Sequence, residues 1–153
     1  MVKKLGMNSS LDKLIRILRY QLVEMSNKTK AAHLASALSC VNIIATLYIK
    51  VLRVFPKNPN NSDRDRFILS KGHAATALYV VLCHKGFFSK EQLSTYGKKY
   101  SLLEEHPNPK LEGIEAATGS LGHGLPVGCG NALAAKIKNK KYYTYVLMGD
   151  GEC

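Results

Sequence analysis

Leu11, Leu14, Ile15, Leu18, Leu22 and Met25 recur at helical spacing behind Ser9-Ser10-Leu11-Asp12, a weak capping box. They predict an amphipathic helix whose polar side carries Lys13, Arg16 and Arg19. Such a face packs onto a core more often than it lies on a membrane surface. From Ser39 to Phe55 only Asn42, Thr46, Lys50 and Arg53 interrupt the apolar residues, which predicts a mostly buried helix with one narrow polar stripe. Pro56 and the polar stretch "KNPNNSDRD" end it. Phe67-Ile68-Leu69 then reads as a short buried strand, Ser70 to His73 as a turn, and Ala74 to Cys83, apolar all round, as a core helix. Ser89 is placed to cap a short helix through Tyr96. Residues 101–125, rich in Gly, Pro, His, Glu and Asn, form a connection long enough to be functional or disordered. Leu125 to Lys138 is again helical, with Pro126 in its first turn, and Tyr142 to Met148 is a strand that stops at Gly149-Asp150-Gly151.

This order predicts an α/β fold, with helices around a partial parallel sheet and each strand buried on both faces. Two strands make a marginal sheet by themselves, so the chain reads as the front part of something larger. Its 153 residues, 46% hydrophobic and 22% charged, fit one folded domain. The formal net charge of +11 raises nucleic acid first. However, the basic residues are dispersed, with small clusters only at Lys28/Lys30 and at Lys136, Lys138, Lys140 and Lys141, and no RNA-binding or zinc-finger pattern accompanies them. A solvated basic surface or affinity for small phosphorylated ligands explains the charge as well. Cys40, Cys83, Cys129 and Cys153 form no C-x-x-C pair, so free thiols in a reducing cytoplasm are expected. No apolar stretch reads as approaching the roughly 18 residues of a membrane span, and no apolar segment behind Lys3 and Lys4 predicts a secretory leader.

Three stretches carry candidate chemistry. Asp150, between two glycines beyond a strand's carboxyl end, is where ligands of open α/β sheets sit, and a carboxylate there can take Mg²⁺ together with phosphate oxygens. Taken alone, Gly-Asp-Gly reads first as a turn. His33, His73 and His106 stand where the chain turns, the first two beside small residues; together they suggest a polar pocket, whereas a lone histidine is more often structural. None has a metal partner four residues on, so zinc is not indicated. In "TGSLGHGLP", small residues run into a helix start, a nest of N–H groups suited to phosphate or a heterocycle edge, but the spacing of Gly119, Gly122 and Gly124 is not G-x-G-x-x-G.

In this order, "DRFILSKGHAATALYVVL", "EEHPNP", "GIEAATGSLGHGLPVGCGNALAAK" and "YVLMGDGEC" resemble the N-terminal region of the transketolases, the domain that holds the diphosphate of thiamine diphosphate. The resemblance runs from about Leu11 to the end, and "GDGEC" is more similar to transketolases than to the related deoxyxylulose-phosphate synthases. It implies that residues 1–153 are the incomplete N-terminal part of that domain. It implies that Asp150 ligates Mg²⁺ on the diphosphate and that Gly151 approaches a phosphate oxygen. His73 would lie at the diphosphate and thiazolium, Gly119, Ser120 and Leu121 at the aminopyrimidine, and His33 and His106 at the reacting sugar, where they would assist proton transfer. The implied reaction moves a two-carbon ketol unit from a ketose phosphate to an aldose phosphate, as in cytoplasmic pentose phosphate metabolism.

There are departures from the family pattern. Ala32, Ala35 and Ser36 stand where the family commonly has glycines, and their β-carbons either crowd the site or are family variation. His123 occupies a position that is frequently Gln. The family's downstream metal-binding Asn and its pyrimidine-binding domain lie beyond the residues of this chain. The resemblance therefore implies a partner, a C-terminal transketolase half or second subunit, and an isolated chain without activity. A truncated inactive product and a non-catalytic interaction module stay open as alternatives.

Overall fold

A computed structural model describes residues 10–153; the expected cap at Ser9 and the Lys3–Lys4 stretch lie outside the described residues. The elements run α1 (Ser10–Thr29), α2 (Leu34–Thr46), which continues into a π-helical turn (Leu47–Val51), then β1 (Arg66–Leu69), a 3-10 turn (Gly72–Ala74), α3 (Ala75–Lys85), α4 (Lys90–Leu93), α5 (Gly124–Ile137), β2 (Thr144–Leu147) and a last 3-10 turn (Asp150–Glu152). β1 and β2 pair in parallel, Arg66 opposite Thr144 through Leu69 opposite Leu147. The architecture is the expected α/β one, and the two strands read from the sequence are the two found among the described residues.

The pleat sends alternate residues to opposite faces. Phe67, Leu69, Tyr145 and Leu147 face the main core, built from Leu18 and Leu22 of α1, Val41 and Ile44 of α2, and Tyr79 and Leu82 of α3. Ile68 and Val146 face α5, which comes so close that a β-carbon on Gly128 would lie 2.3 Å from Val146 Cγ2. β1 is buried along three of its four residues. β2 is only half-buried throughout, contrary to the expectation of two covered faces; β1 too is flanked by one strand among the described residues, so the difference lies in helix cover, the main core burying Phe67 and Leu69 fully but Tyr145 and Leu147 only in part.

Two further expectations change. The second helix begins at Leu34 rather than Ser39, and Leu52 closes it in extended conformation before Phe55. The run Leu34–Val51 is therefore 18 residues, long and apolar enough to cross a membrane by length and composition, where the sequence reading found no such stretch. A third of it is buried inside the molecule, and Ala37, Val41, Ile44, Ala45 and Tyr48 spend their apolar surface on the core. Core packing thus accounts for one face of this helix, while Ile43 and Val51 on it stay about half exposed. Ser89 caps α4 as expected, its Oγ accepting from Gln92 N–H at 3.1 Å, but the helix ends at Leu93 and turns replace the expected continuation to Tyr96.

Polar contacts hold the sheet's entry. The buried carboxylate of Asp65 accepts from Arg53 N–H and Tyr143 N–H, both at 2.8 Å, joining the end of the second helix to the start of both strands. Arg64 and Arg66 clasp Glu115, which anchors the long 101–123 connection to β1. Removing the Asp65 carboxylate would orphan two backbone donors, at roughly 1–3 kcal/mol each if they stay buried.

Candidate functional site

Parallel pairing puts both strand exits at one end of the sheet, where Ser70 N–H donates to Leu147 O at 2.9 Å. β1 leads directly into the 3-10 turn that carries His73. Gly72 is required there, because a β-carbon would lie 2.6 Å from Thr118 C and O. The turn thus rests against the start of the 118–121 segment, which Thr118 holds in place by donating its hydroxyl to Leu69 O at 2.6 Å. Gly119, Ser120 and Leu121 follow, with Ser120 and Leu121 exposed. His106 covers this segment from the far side: a β-carbon on Gly119 would come within 2.8 Å of His106 Cδ2. The backbone of His106 is fixed by the Tyr79 hydroxyl, which donates to Glu104 O and His106 O at 3.0 and 2.9 Å.

His33 caps α2 with φ 63° and ψ 21°, a left-handed conformation that costs a non-glycine residue on the order of 1 kcal/mol or more. Its ring centroid lies 5.2 Å from that of His73. The three sequence-predicted histidines therefore gather with Gly119–Leu121 at the strand mouth. Burial first, then the neighbouring His33 and Lys71, lowers the pKa of His73 below its ordinary 6.5, with Glu152 pulling the other way. A neutral imidazole at neutral pH follows, one nitrogen donating and the other accepting. Lys71 itself is steered aside, its Nζ donating to Ser39 Oγ at 3.3 Å. Ala32 and Ala35 are exposed, and His123 is exposed at the N-cap of α5, with no hydrogen bond from its side chain to the helix.

Asp150 and Gly151 lie in the turn after β2, both exposed, and nothing comes within 4 Å of a β-carbon built on Gly151. Among the described residues no group of three or more His, Cys, Asp or Glu is placed to hold a metal ion. A single open carboxylate fits a strongly hydrated divalent cation that takes one or two carboxylates and completes its shell from phosphate and water; it does not fit a closed protein cage. The open space at Gly151 and the neutral His73 fit a diphosphate on the same grounds of room and donor chemistry. The mouth is open rather than enclosed. A cavity of about 560 Å³ lies elsewhere, between α1 and α4, lined by Met25, Lys28, Lys90 and Leu93 among others.

Two residues that sequence reasoning did not single out sit at the centre of the mouth. Glu152 accepts from Ser70 Oγ–H at 2.6 Å, Gly122 N–H at 3.0 Å and Gly149 N–H at 2.7 Å. Ser70, fully buried, also accepts from Gly124 N–H at 3.1 Å. Burial works against the Glu152 charge, but these three donors and then His73 outweigh it and hold its pKa below the ordinary carboxylate value. The available signal was the acid two residues after Asp150.

A family model described as the transketolase thiamine diphosphate binding domain matches residues 8–153. The chain is 52% identical over 134 residues to one subunit of the apulose-4-phosphate transketolase of Phocaeicola vulgatus, covering 88% of this chain and 48% of that protein. It is 42% identical over 144 residues to the subunit of the same name from Actinobacillus succinogenes, covering 93% and 52%. The chain therefore spans about half the length of these relatives. Its fold superposes on the crystal structure of the transketolase from Campylobacter jejuni with a TM-score of 0.88 at 33% identity, covering 95% of this chain and 24% of that one.

Proposed function

This chain belongs to the transketolase family through its thiamine diphosphate binding domain, and on that premise we propose that it works as the diphosphate-holding part of a two-carbon ketol transferase acting on sugar phosphates. The observation that carries the reading is the convergence of His33 and His73, 5.2 Å apart, with His106, Gly119–Leu121 and Asp150 at one end of the parallel strands. The likeness to two proteins named as subunits of apulose-4-phosphate transketolases supports apulose 4-phosphate as the ketol donor, and the word "subunit" in those names supports a second chain that completes the site.

Thiamine diphosphate, when bound, would supply the nucleophile and the electron sink that ketose cleavage needs. The chain's residues do the rest. Asp150 would hold Mg²⁺ beside the diphosphate. The ring of His73, neutral at neutral pH, donates to an oxygen at the mouth without the cost of burying a charge. Gly119, Ser120 and Leu121 offer backbone edges to the aminopyrimidine. His33 and His106, exposed on either side, bond the sugar's hydroxyls and take or return a proton there.

The test combines titration and turnover. The chain is mixed with a separate chain that carries the remaining transketolase sequence, in thiamine diphosphate and Mg²⁺, and ketol transfer from apulose 4-phosphate to an aldose phosphate is followed. Transfer is expected only in the mixture, and Asp150→Ala is expected to abolish it. Turnover by the chain alone, or full turnover by the variant mixture, would count against the proposal.

A further inference from the structure

The Glu152 carboxylate uses both oxygens as acceptors, and its three donors come from three separate segments. Ser70 follows β1, Gly122 precedes α5, and Gly149 follows β2. Each segment carries one of the groups assigned above to the cofactor: His73 stands three residues after Ser70, Leu121 immediately before Gly122, and Asp150 immediately after Gly149. Gly124 N–H extends the network by donating to the same Ser70 hydroxyl. A carboxylate is acceptor-only on both oxygens, which is what three converging donors require. A glutamine has the same shape but turns an NH₂ group toward either Gly149 N–H or Gly122 N–H, donor against donor.

We propose that Glu152 is a positioning residue that fixes the spacing of His73, Leu121 and Asp150 before any ligand arrives, so that the mouth is already formed when thiamine diphosphate binds. This rests on the cofactor reading above. Glu152 touches no reacting atom in this account; it acts through the three segments it joins. Pre-organisation of this kind typically changes ligand affinity by tens-fold when its supporting bonds are lost.

The test uses the full chain and its Glu152→Gln variant, chosen because it keeps the volume. Amide hydrogen exchange is read at Gly122, Gly149 and across α3, and thiamine diphosphate with Mg²⁺ is titrated calorimetrically into each protein, in the presence of the partner chain. In the variant, exchange at Gly122 or Gly149 is expected to speed up by about tenfold or more while α3 exchanges as in the parent, and cofactor affinity is expected to fall by about tenfold. A general loss of fold would speed α3 as well, and that result overturns the proposal, as does unchanged exchange at both glycines. Unchanged or tightened affinity also overturns it; tightening would mean that the carboxylate competes with the diphosphate for those amides. Should the parent bind no thiamine diphosphate, the cofactor reading fails by itself, and the exchange measurement still decides whether Glu152 holds the three segments.

Discussion

His73 sits half-buried with His33 and Lys71 nearby, and all three features disfavour its charged form. The unfolded chain takes up a proton on this side chain near pH 6.5, whereas the folded chain holds it off to lower pH. Between those values the unfolded state binds more protons, so folding stability is at its full value above pH 6.5 and declines as the pH drops through the window. Glu152 also has a lowered folded pKa, but its contribution is lost only below its ordinary value of 4.5, outside the range from pH 7.5 to 5. Urea unfolding from pH 7.5 down to 5 is therefore expected to show a fall in stability that is shallower in His73→Gln; parallel curves for the two proteins would refute this assignment. The histidines were legible in the sequence because each stands at a chain turn, two of them beside small residues. Glu152 was not, since its Ser70 and Gly122 partners lie 82 and 30 residues back and no local pattern announces a pairing of that length.

α5 meets the sheet at Gly128, where backbone and strand approach too closely for a side chain. Gly128→Ala is expected to destabilise the fold by about 1–3 kcal/mol, because the new methyl meets Val146 Cγ2 in a packed interface. If that contact is the cause, Val146→Ala should relieve it. In a double-mutant cycle the pair is then expected to lose less stability than the two single changes added together, by roughly 0.5–3 kcal/mol. Strict additivity would place the strain elsewhere. At this scale the sequence was legible in the kind and order of elements and less so at their ends. Pro126 and the glycines around it marked the start of α5, and Phe67 to Leu69 marked β1. The start of α2 was missed because Leu34-Ala35-Ser36-Ala37 carries little apolar contrast, and because the residue that stops the chain turning there, His33, does so by adopting a left-handed conformation that its side chain does not advertise. The covering of β2 was misjudged for a different reason: an apolar strand records which faces can be buried, not how many neighbours bury them.

Over the whole molecule, packing is uneven. The α1–α2–α3 core holds most of the fully buried large side chains, among them Tyr48, Tyr79, Leu18 and Leu82. α5 covers one face of a two-stranded sheet and leaves its own outer side apolar, with Leu133 59% and Ile137 73% exposed, beside half-buried β2. Exposed apolar residues close together on one helix, next to a strand with a free edge, favour association over solvation. Sedimentation velocity on the isolated chain is expected to show concentration-dependent association, and Leu133→Lys with Ile137→Lys is expected to move it toward monomer. The helix is 14 residues, so Ile137 lies about 20 Å along its axis from Gly124 at the strand mouth. The paired substitution should therefore leave the exchange rates of Gly122 and Gly149 unchanged, which separates a surface effect from damage to the site. An unaltered sedimentation profile in the variant would mean that this helix face does not drive association, and attention would pass to the unpaired edge of β2, where a proline at an edge-facing N–H gives the matching test.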